Sequence, residues 1–362
     1  MPRFIPGLKL SSLFYHDEVR PILDKEFPRL RHSAALIGWG SEVLGFDTLR
    51  SSDHHWGPRV LLFLKEDDYP ALSIKIREAL AEQLPYKVKG YSTNFSEPET
   101  NGVRHPDLID SGRVNHMVNI YTVRDFVIAR LGFDIEKSIS VKDWLTFPQQ
   151  RLLELTSGQV FHDGLGQLNK LRRRLNYYPK DIWLYMLAAQ WTRISQEEAF
   201  VGRAGDVGDE LGSRIVAARL VRELIKLAFL MERQYTPYSK WLGSAFNQLK
   251  ISKKLGALLN RVLAAENWKS RERWLSESYE RVARQHNALK ITSPMPVKAT
   301  NYFERPYKVI HGEHFAAAIK KVIKDREVKT IRTEVGSIDQ FTDSTNVVED
   351  RQLCQRLQIA YD

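Results

Sequence analysis

The chain has 362 residues, 43% of them apolar and 27% charged, which is ordinary for a globular protein with room for two cores. Its one cysteine, Cys354, excludes an internal disulfide and a cysteine-based zinc cluster, and fits a reducing, cytoplasmic setting. The net charge is +10, and residues 151–290 carry the whole excess, with 24 lysines and arginines against 14 aspartates and glutamates. Such a region attracts nucleotide phosphates, nucleic acid or an acidic protein, or is simply a set of solvated helix faces.

The opening residues Met1-Pro2-Arg3-Phe4-Ile5-Pro6 hold no long apolar segment of signal-peptide type. No apolar run approaches the roughly 18 residues of a membrane span, so no membrane partner is expected. Leu13 to Phe27 reads as a helix, with Phe14, Val19, Ile22 and Leu23 partly in register. Ser33 to Gly38 reads as a short buried strand ending in a turn, and Val60 to Leu64 as a second strand. Leu72 to Leu84 is an amphipathic helix stopped by Pro85. Residues 91–115 are polar and rich in Asn, Pro, Ser and Gly, which reads as a long loop. His116 to Val123 is a third strand, and Arg124 to Leu131 starts a helix. Strands interleaved with helices predict an α+β domain over residues 1–137.

From about residue 141 the pattern becomes helical, so residues 138–362 read as a mainly helical domain. Helices are expected over Pro148–Leu155, Gly166–Leu175, Lys180–Phe200 and Leu211–Gln234, and again between 240 and 290. In Leu211–Gln234, Val216, Leu220, Leu224, Leu227 and Met231 share one face, while Arg219, Arg222, Lys226 and Arg233 line another. Pro294 and Pro296 interrupt the chain. Beyond them Tyr307–Ile310 reads as a strand, His314–Lys324 as a helix, and the tail from Thr333 as an ordered cover.

The most informative motif is Gly40-Ser41, eleven residues, then Asp53-His54-His55 ahead of an apolar run. A small-residue turn offers backbone N–H groups to phosphate oxygens, and a carboxylate beside it can hold a divalent metal that bridges them. The same residues also suit an ordinary strand-to-helix turn followed by a turn aspartate. Arg59 offers a fork to a phosphate or an ion pair to a neighbour. No Walker A sequence, dinucleotide fingerprint, nucleophile elbow or nucleic-acid module is present. Lys170-Leu171-Arg172-Arg173-Arg174 offers charge to nucleic acid, but consecutive helical residues turn by about 100° each and fan the arginines apart.

The spacing of Gly40-Ser41 and Asp53 resembles the polymerase-β-like nucleotidyltransferase superfamily, and the helical second domain resembles that of the aminoglycoside nucleotidyltransferases. More closely, the chain resembles the DUF4037 family, through His32–Asp47, Ser52–Arg59, Phe200–Glu210, Tyr235–Gly243 and Gly336-Ser337-Ile338-Asp339-Gln340-Phe341. The resemblance implies an N-terminal nucleotidyltransferase-fold mixed sheet. It implies transfer of a nucleoside monophosphate from a triphosphate, ATP by preference, to an acceptor hydroxyl of unknown identity, with Mg²⁺ or Mn²⁺. Members that catalyse this carry two acidic residues on one strand, separated by one residue, and a third on a neighbouring strand. Asp53 matches the first position, His55 stands at the second and Asn119 at the third, so one carboxylate of three is kept. Asp47, Asp67 and Asp68 are nearby candidates for compensation. The resemblance further implies phosphate binding by Gly40, Ser41, Arg59, Arg203 and Lys240, metal binding by Asp53 and His55, and a general base at Glu198 or, equally, Glu197. Arg203, Asp206 and Asp209 fall in a glycine-rich segment suited to a ligand loop or to a helix connection whose carboxylates cap the next helix. Tyr238 and Trp241 suit stacking on a base or simple core packing. The competing reading is a binding protein of the same plan that has lost its transfer chemistry at His55 and Asn119.

Overall fold

The computed structural model describes residues 3–100 and 102–362; Met1, Pro2 and Asn101, which fall in the N-terminal segment and the polar loop of the sequence reading, lie outside the described residues. The chain forms two compact units, one of Met1–Ser138 with Arg151–Asn176, the other of Ile139–Gln150 with Tyr177–Asp362. The architecture is a mixed four-stranded sheet accompanied by many helices.

The sheet belongs to the first unit. Its strands are β1 (Ser33–Leu36), β2 (Arg59–Leu64), β3 (Met117–Thr122) and β4 (Gln159–Asp163), in the spatial order β3-β2-β1-β4. Every residue of β1 and β2 is buried, which is why these strands read as continuous apolar runs rather than alternations. In β3 the alternation survives, with Asn119 and Tyr121 on the less buried side. β2 runs parallel to β3, with Leu61 beside Asn119, and antiparallel to β1, with Ala34 beside Leu62.

β4 lies within the stretch that the sequence presents as helical. It is short and half-exposed, and its place is held by specific bonds. Ser33 Oγ donates to Asp163 Oδ1 at 2.9 Å, and the two carboxylate oxygens of Asp163 accept the N–H groups of Leu168 and Asn169 at the start of the Gln167–Arg174 helix. One side chain thus ties the last strand to the sheet and to the following helix.

Around the sheet, Gly7–Phe14, a π turn at Tyr15–Val19 and Arg20–Glu26 make one helical segment that starts earlier than its apolar register suggests. The Tyr15 hydroxyl meets His32 Nε2 at 2.9 Å, and burial pushes the His32 imidazole down to about 4. Tyr69–Gln83 is the expected amphipathic helix. The polar stretch after it opens with a small hairpin, Lys87–Val88 against Tyr91–Ser92, before becoming a loop.

The second unit is built on Lys180–Glu197 and Glu210–Met231. Trp183 and Trp191 are fully buried between helices, and Trp191 stacks on Phe315 at 4.2 Å. Trp268–Ala288 adds a buried Arg271, whose guanidinium donates to Ser213 Oγ at 2.6 Å and Glu210 at 3.1 Å. A hairpin, Thr300–Tyr302 with Arg305–Val309, leads into the helix Gly312–Val322. The tail closes on the same unit: the Tyr361 hydroxyl donates to the carbonyls of Leu145 and Gly336, and Ile338 is fully buried. Among the described residues, no helix is long and apolar enough to cross a membrane.

Candidate functional site

In the first unit, Gly40 and Ser41 sit at the turn that follows β1. Gly40 has φ +133, and a Cβ there would lie 2.2 Å from an Arg59 nitrogen and 2.6 Å from Glu42 Oε2. Glycine is required because those two side chains cross directly over it. Arg59 and Glu42 are a buried ion pair: Nε donates at 2.7 Å and Nη2 approaches the same carboxylate oxygen at 2.6 Å. Nη2 also donates to the Trp39 carbonyl, and the guanidinium lies 4.1 Å over the Trp39 ring. Of the two roles open to Arg59, ion pair or phosphate fork, the structure displays the first.

Asp53 and His55 differ from the expected placement. The superfamily pattern puts both on one strand face, yet β2 begins only at Arg59. Asp53 has helical backbone angles at the end of a 3-10 turn and His55 has φ +48, so the two share no strand face. The reason is local: Trp56 is buried, donates its indole N–H to Asp47 at 3.0 Å, and anchors the chain before it becomes extended. Asp47 also accepts the N–H of Gly7, so its Oδ2 is engaged in holding this turn. Asp53 is exposed, and its Oδ1 meets His54 Nδ1 at 2.8 Å. Desolvation opposes ionisation, but His54 and local N–H groups hold the Asp53 carboxyl below its ordinary value. The Asp53 carbonyl meets His105 Nδ1 at 3.0 Å, and this bond, together with Glu99, raises the His105 pKa. His55 sets its ring against Trp39 at 4.9 Å, and burial, then Arg59, lowers its pKa.

The donor set at Asp53 does not fit a cation held by the protein alone. Among the described residues, Asp53 and His55 belong to no group of three potential ligand atoms within 4.8 Å of one another. Asn119 contributes a neutral amide on β3. An Mg²⁺ ion, which takes oxygen ligands, would have to bring most of them with it.

In the second unit, Glu198 is buried beneath the turn that starts the Gly312–Val322 helix. Its carboxylate accepts the N–H groups of Ile310 at 2.7 Å and Gly312 at 3.2 Å. Burial pushes its pKa up to about 8 against those bonds. Glu197 forms a two-pronged pair with Arg219. The glycine-rich segment is the helix Phe200–Asp206, not a loop. Arg203 lies over the Phe200 ring, Asp206 accepts the Tyr307 hydroxyl, and Asp209 caps the next helix through the Gly212 N–H at 2.7 Å. Lys240 is exposed, with its ammonium 4.8 Å from the Trp241 ring centroid. Arg172 and Arg174 of the first unit donate to backbone carbonyls of Thr156, Ile135 and Lys137.

Two sequence blocks do converge. Thr236–Ser239 of one and Asp339 of the other line a cavity of about 370 Å³ in the second unit, with Gln149, Arg222 and Lys226. Lys226, on the helix face that the sequence lines with Arg219, Arg222 and Arg233, is buried, and its ammonium donates to the Asp339 carbonyl at 2.7 Å. Burial lowers the Lys226 pKa, while Glu223 and Asp339 oppose the shift. The Asp339 carboxylate accepts the Gln149 N–H at 2.9 Å, and burial pushes its pKa up to about 6. The Gln149 side chain accepts the Thr236 N–H at 2.9 Å. The Thr236 hydroxyl is buried and finds no hydrogen-bond partner among the described residues. Beneath the cavity, Gln340 donates to the carbonyl of Met186 and to Gln190, which in turn donates to Glu223. This network holds the Ile338–Phe341 turn against both long helices. A second cavity of about 380 Å³, in the first unit beyond the ends of β2 and β3, is flanked by Arg124 and Arg174. Asp134 and backbone carbonyls already occupy those two guanidinium groups.

Sequence reasoning gave no role to Lys226, Thr236 or Asp339. The available signal was the recurrence of polar residues inside two otherwise apolar blocks, Tyr-Thr-Pro-Tyr-Ser and Gly-Ser-Ile-Asp-Gln-Phe. Residues 144–242 match the model of a family described as a domain of unknown function (DUF4037). That segment includes Gln149, Arg222, Lys226 and Thr236, and Asp339 lies beyond it. No curated protein matches the chain.

Proposed function

We propose that the protein binds a small, polar, hydroxyl-bearing molecule in the cavity of the second unit, as a nucleotidyltransferase-like binding protein. The observation that carries this reading is the convergence on one cavity of Lys226, Asp339 and Thr236, whose buried hydroxyl has no hydrogen-bond partner. A buried hydroxyl left without a partner costs roughly 1–3 kcal/mol, which a ligand reached by rotation of the Thr236 side chain would recover. A cavity of this size with a few convergent polar groups and shifted pKa values is the ordinary form of a small-molecule site. The test is calorimetric titration with monosaccharides, nucleosides and ATP. Binding that weakens about tenfold in Thr236→Val and Asp339→Asn supports the reading; binding indifferent to both substitutions removes it.

A second reading, nucleotidyl transfer from ATP to an acceptor hydroxyl, is favoured by the exposed carboxylate of Asp53, two residues before His55, whose ring packs on Trp39 ahead of the Gly40 turn. In that reaction the acceptor oxygen bonds to the α-phosphorus, the bond to pyrophosphate breaks, and the hydroxyl proton passes to a base. Gly40 and Ser41 would bind phosphate. ATP binding that needs Mg²⁺ or Mn²⁺ and is lost in Asp53→Ala, together with pyrophosphate release on adding an acceptor, supports transfer. ATP binding indifferent to metal and to Asp53 leaves the binding reading alone.

A further inference from the structure

We infer that the start of the Gly312–Val322 helix is a binding site for a transition-metal ion of zinc type, with His311, Glu313 and His314 as ligands. This inference is independent of the cavity and of the Asp53 segment.

Among the described residues, these three bring one potential ligand atom each within 4.8 Å of one another. His311 Nδ1 stands 3.2 Å from Glu313 Oε1, and His314 Nε2 stands 3.7 Å from the same oxygen. Metal–ligand bonds of 2.0–2.2 Å at tetrahedral angles separate neighbouring ligand atoms by about 3.4 Å. Two of the three spacings therefore already lie close to that of a tetrahedral face, and the third is within 4.8 Å. The two imidazole rings are stacked nearly parallel, 14° apart at 5.3 Å.

Three further features suit a ligand set better than a chance cluster. First, His311 Nε2 lies 3.0 Å from Thr300 Oγ1. A histidine that binds metal through one nitrogen commonly donates its other N–H to an oxygen, which fixes the tautomer and the ring. Second, His311 has left-handed backbone angles, φ 58 and ψ 58, unusual for a residue with a side chain. Third, the backbone is held in that shape by Glu198, which accepts the N–H groups of Ile310 and Gly312 on either side. Gly312 allows the turn to sit close, since a Cβ there would lie 2.8 Å from the Trp191 carbonyl. The cluster is thus mounted on a fixed turn, with its ligand atoms facing solvent.

Two imidazoles and one carboxylate select Zn²⁺ or a similar transition ion over Mg²⁺ or Ca²⁺, which take oxygen ligands. Three protein ligands leave a fourth position for water or another ligand. The test is titration of the full, untagged chain with Zn²⁺, with Co²⁺ absorption as a probe of coordination. The wild type is expected to take up one ion. His314→Ala and Glu313→Gln, both exposed and harmless to folding, are expected to weaken uptake more than tenfold, and Thr300→Val by about tenfold. His54→Ala with His105→Ala is expected to leave uptake unchanged. No saturable uptake of Zn²⁺, uptake unaffected by His314→Ala, or uptake lost in the His54/His105 variant would each overturn the inference.

Discussion

At the scale of single residues, burial decides which charged groups hold the structure and which remain open to a ligand. Glu42 and Arg59 are buried together, so removing one partner strands the other. Glu42→Gln is expected to cost about 3–5 kcal/mol in urea unfolding, and a well-packed apolar replacement of both residues much less. Glu198 gives a pH signature. Its proton is held more tightly in the folded chain, at about 8, than at its ordinary 4.5. Between those values the folded state carries more protons than the unfolded one. The stability this group contributes is complete below about pH 4.5 and is lost as the pH rises through 8. His32 and His286, pushed down to about 4 by burial, act in the opposite sense: their contribution is present above 6.5 and is lost as the pH falls through 4. Glu198→Gln should therefore remove a downward slope of at most about 1.4 kcal/mol per pH unit between about pH 4.5 and 8, and leave the curve outside that window alone. Thermal melts from pH 5 to 9 would show this; an unchanged slope between pH 5 and 8 would refute it.

At the scale of elements, the long apolar patterns translate directly into structure, and the exceptions are short and polar. β2 and Glu210–Met231 are legible from their apolar residues. β4 is held by Asp163, which serves Ser33, Leu168 and Asn169 at once. Asp163→Ala removes a helix cap and a strand tie and is expected to cost about 2 kcal/mol. Faster amide exchange should be confined to residues 159–175; protection there equal to that of β2 would show that the strand does not depend on this side chain. The tail is tied down in the same manner. Tyr361→Phe deletes a hydroxyl that serves two buried carbonyls, and a loss of about 1–3 kcal/mol is expected in denaturant titration.

At the scale of the whole molecule, the excess positive charge of residues 151–290 does not make a nucleic-acid surface by itself. Arg172 and Arg174 brace loops of the first unit, Arg219 pairs with Glu197, and Arg271 is buried. Association with RNA is therefore expected to be weak and to vanish between 50 and about 200 mM salt, as filter binding would show. Salt-resistant binding would revive the nucleic-acid reading.

The sequence by itself determined the order and type of most elements, because a run of buried apolar residues at a fixed period has one stable way to leave water. It also marked the blocks around Gly40, Tyr235 and Gly336 as unusual. Only the tertiary structure decided what their polar residues do. Asp53 and His55 precede a strand instead of sharing its face, because the buried Trp56 and Asp47 set the path of the chain. Arg59 and Glu198 are taken up by partners 17 and more than a hundred residues away. Lys226, Thr236 and Asp339 meet around one cavity although they come from different segments. Local periodicity records which side of an element faces the core, but hydrogen bonds and charges are satisfied by whatever the fold brings near, and that pairing is fixed only when distant segments pack.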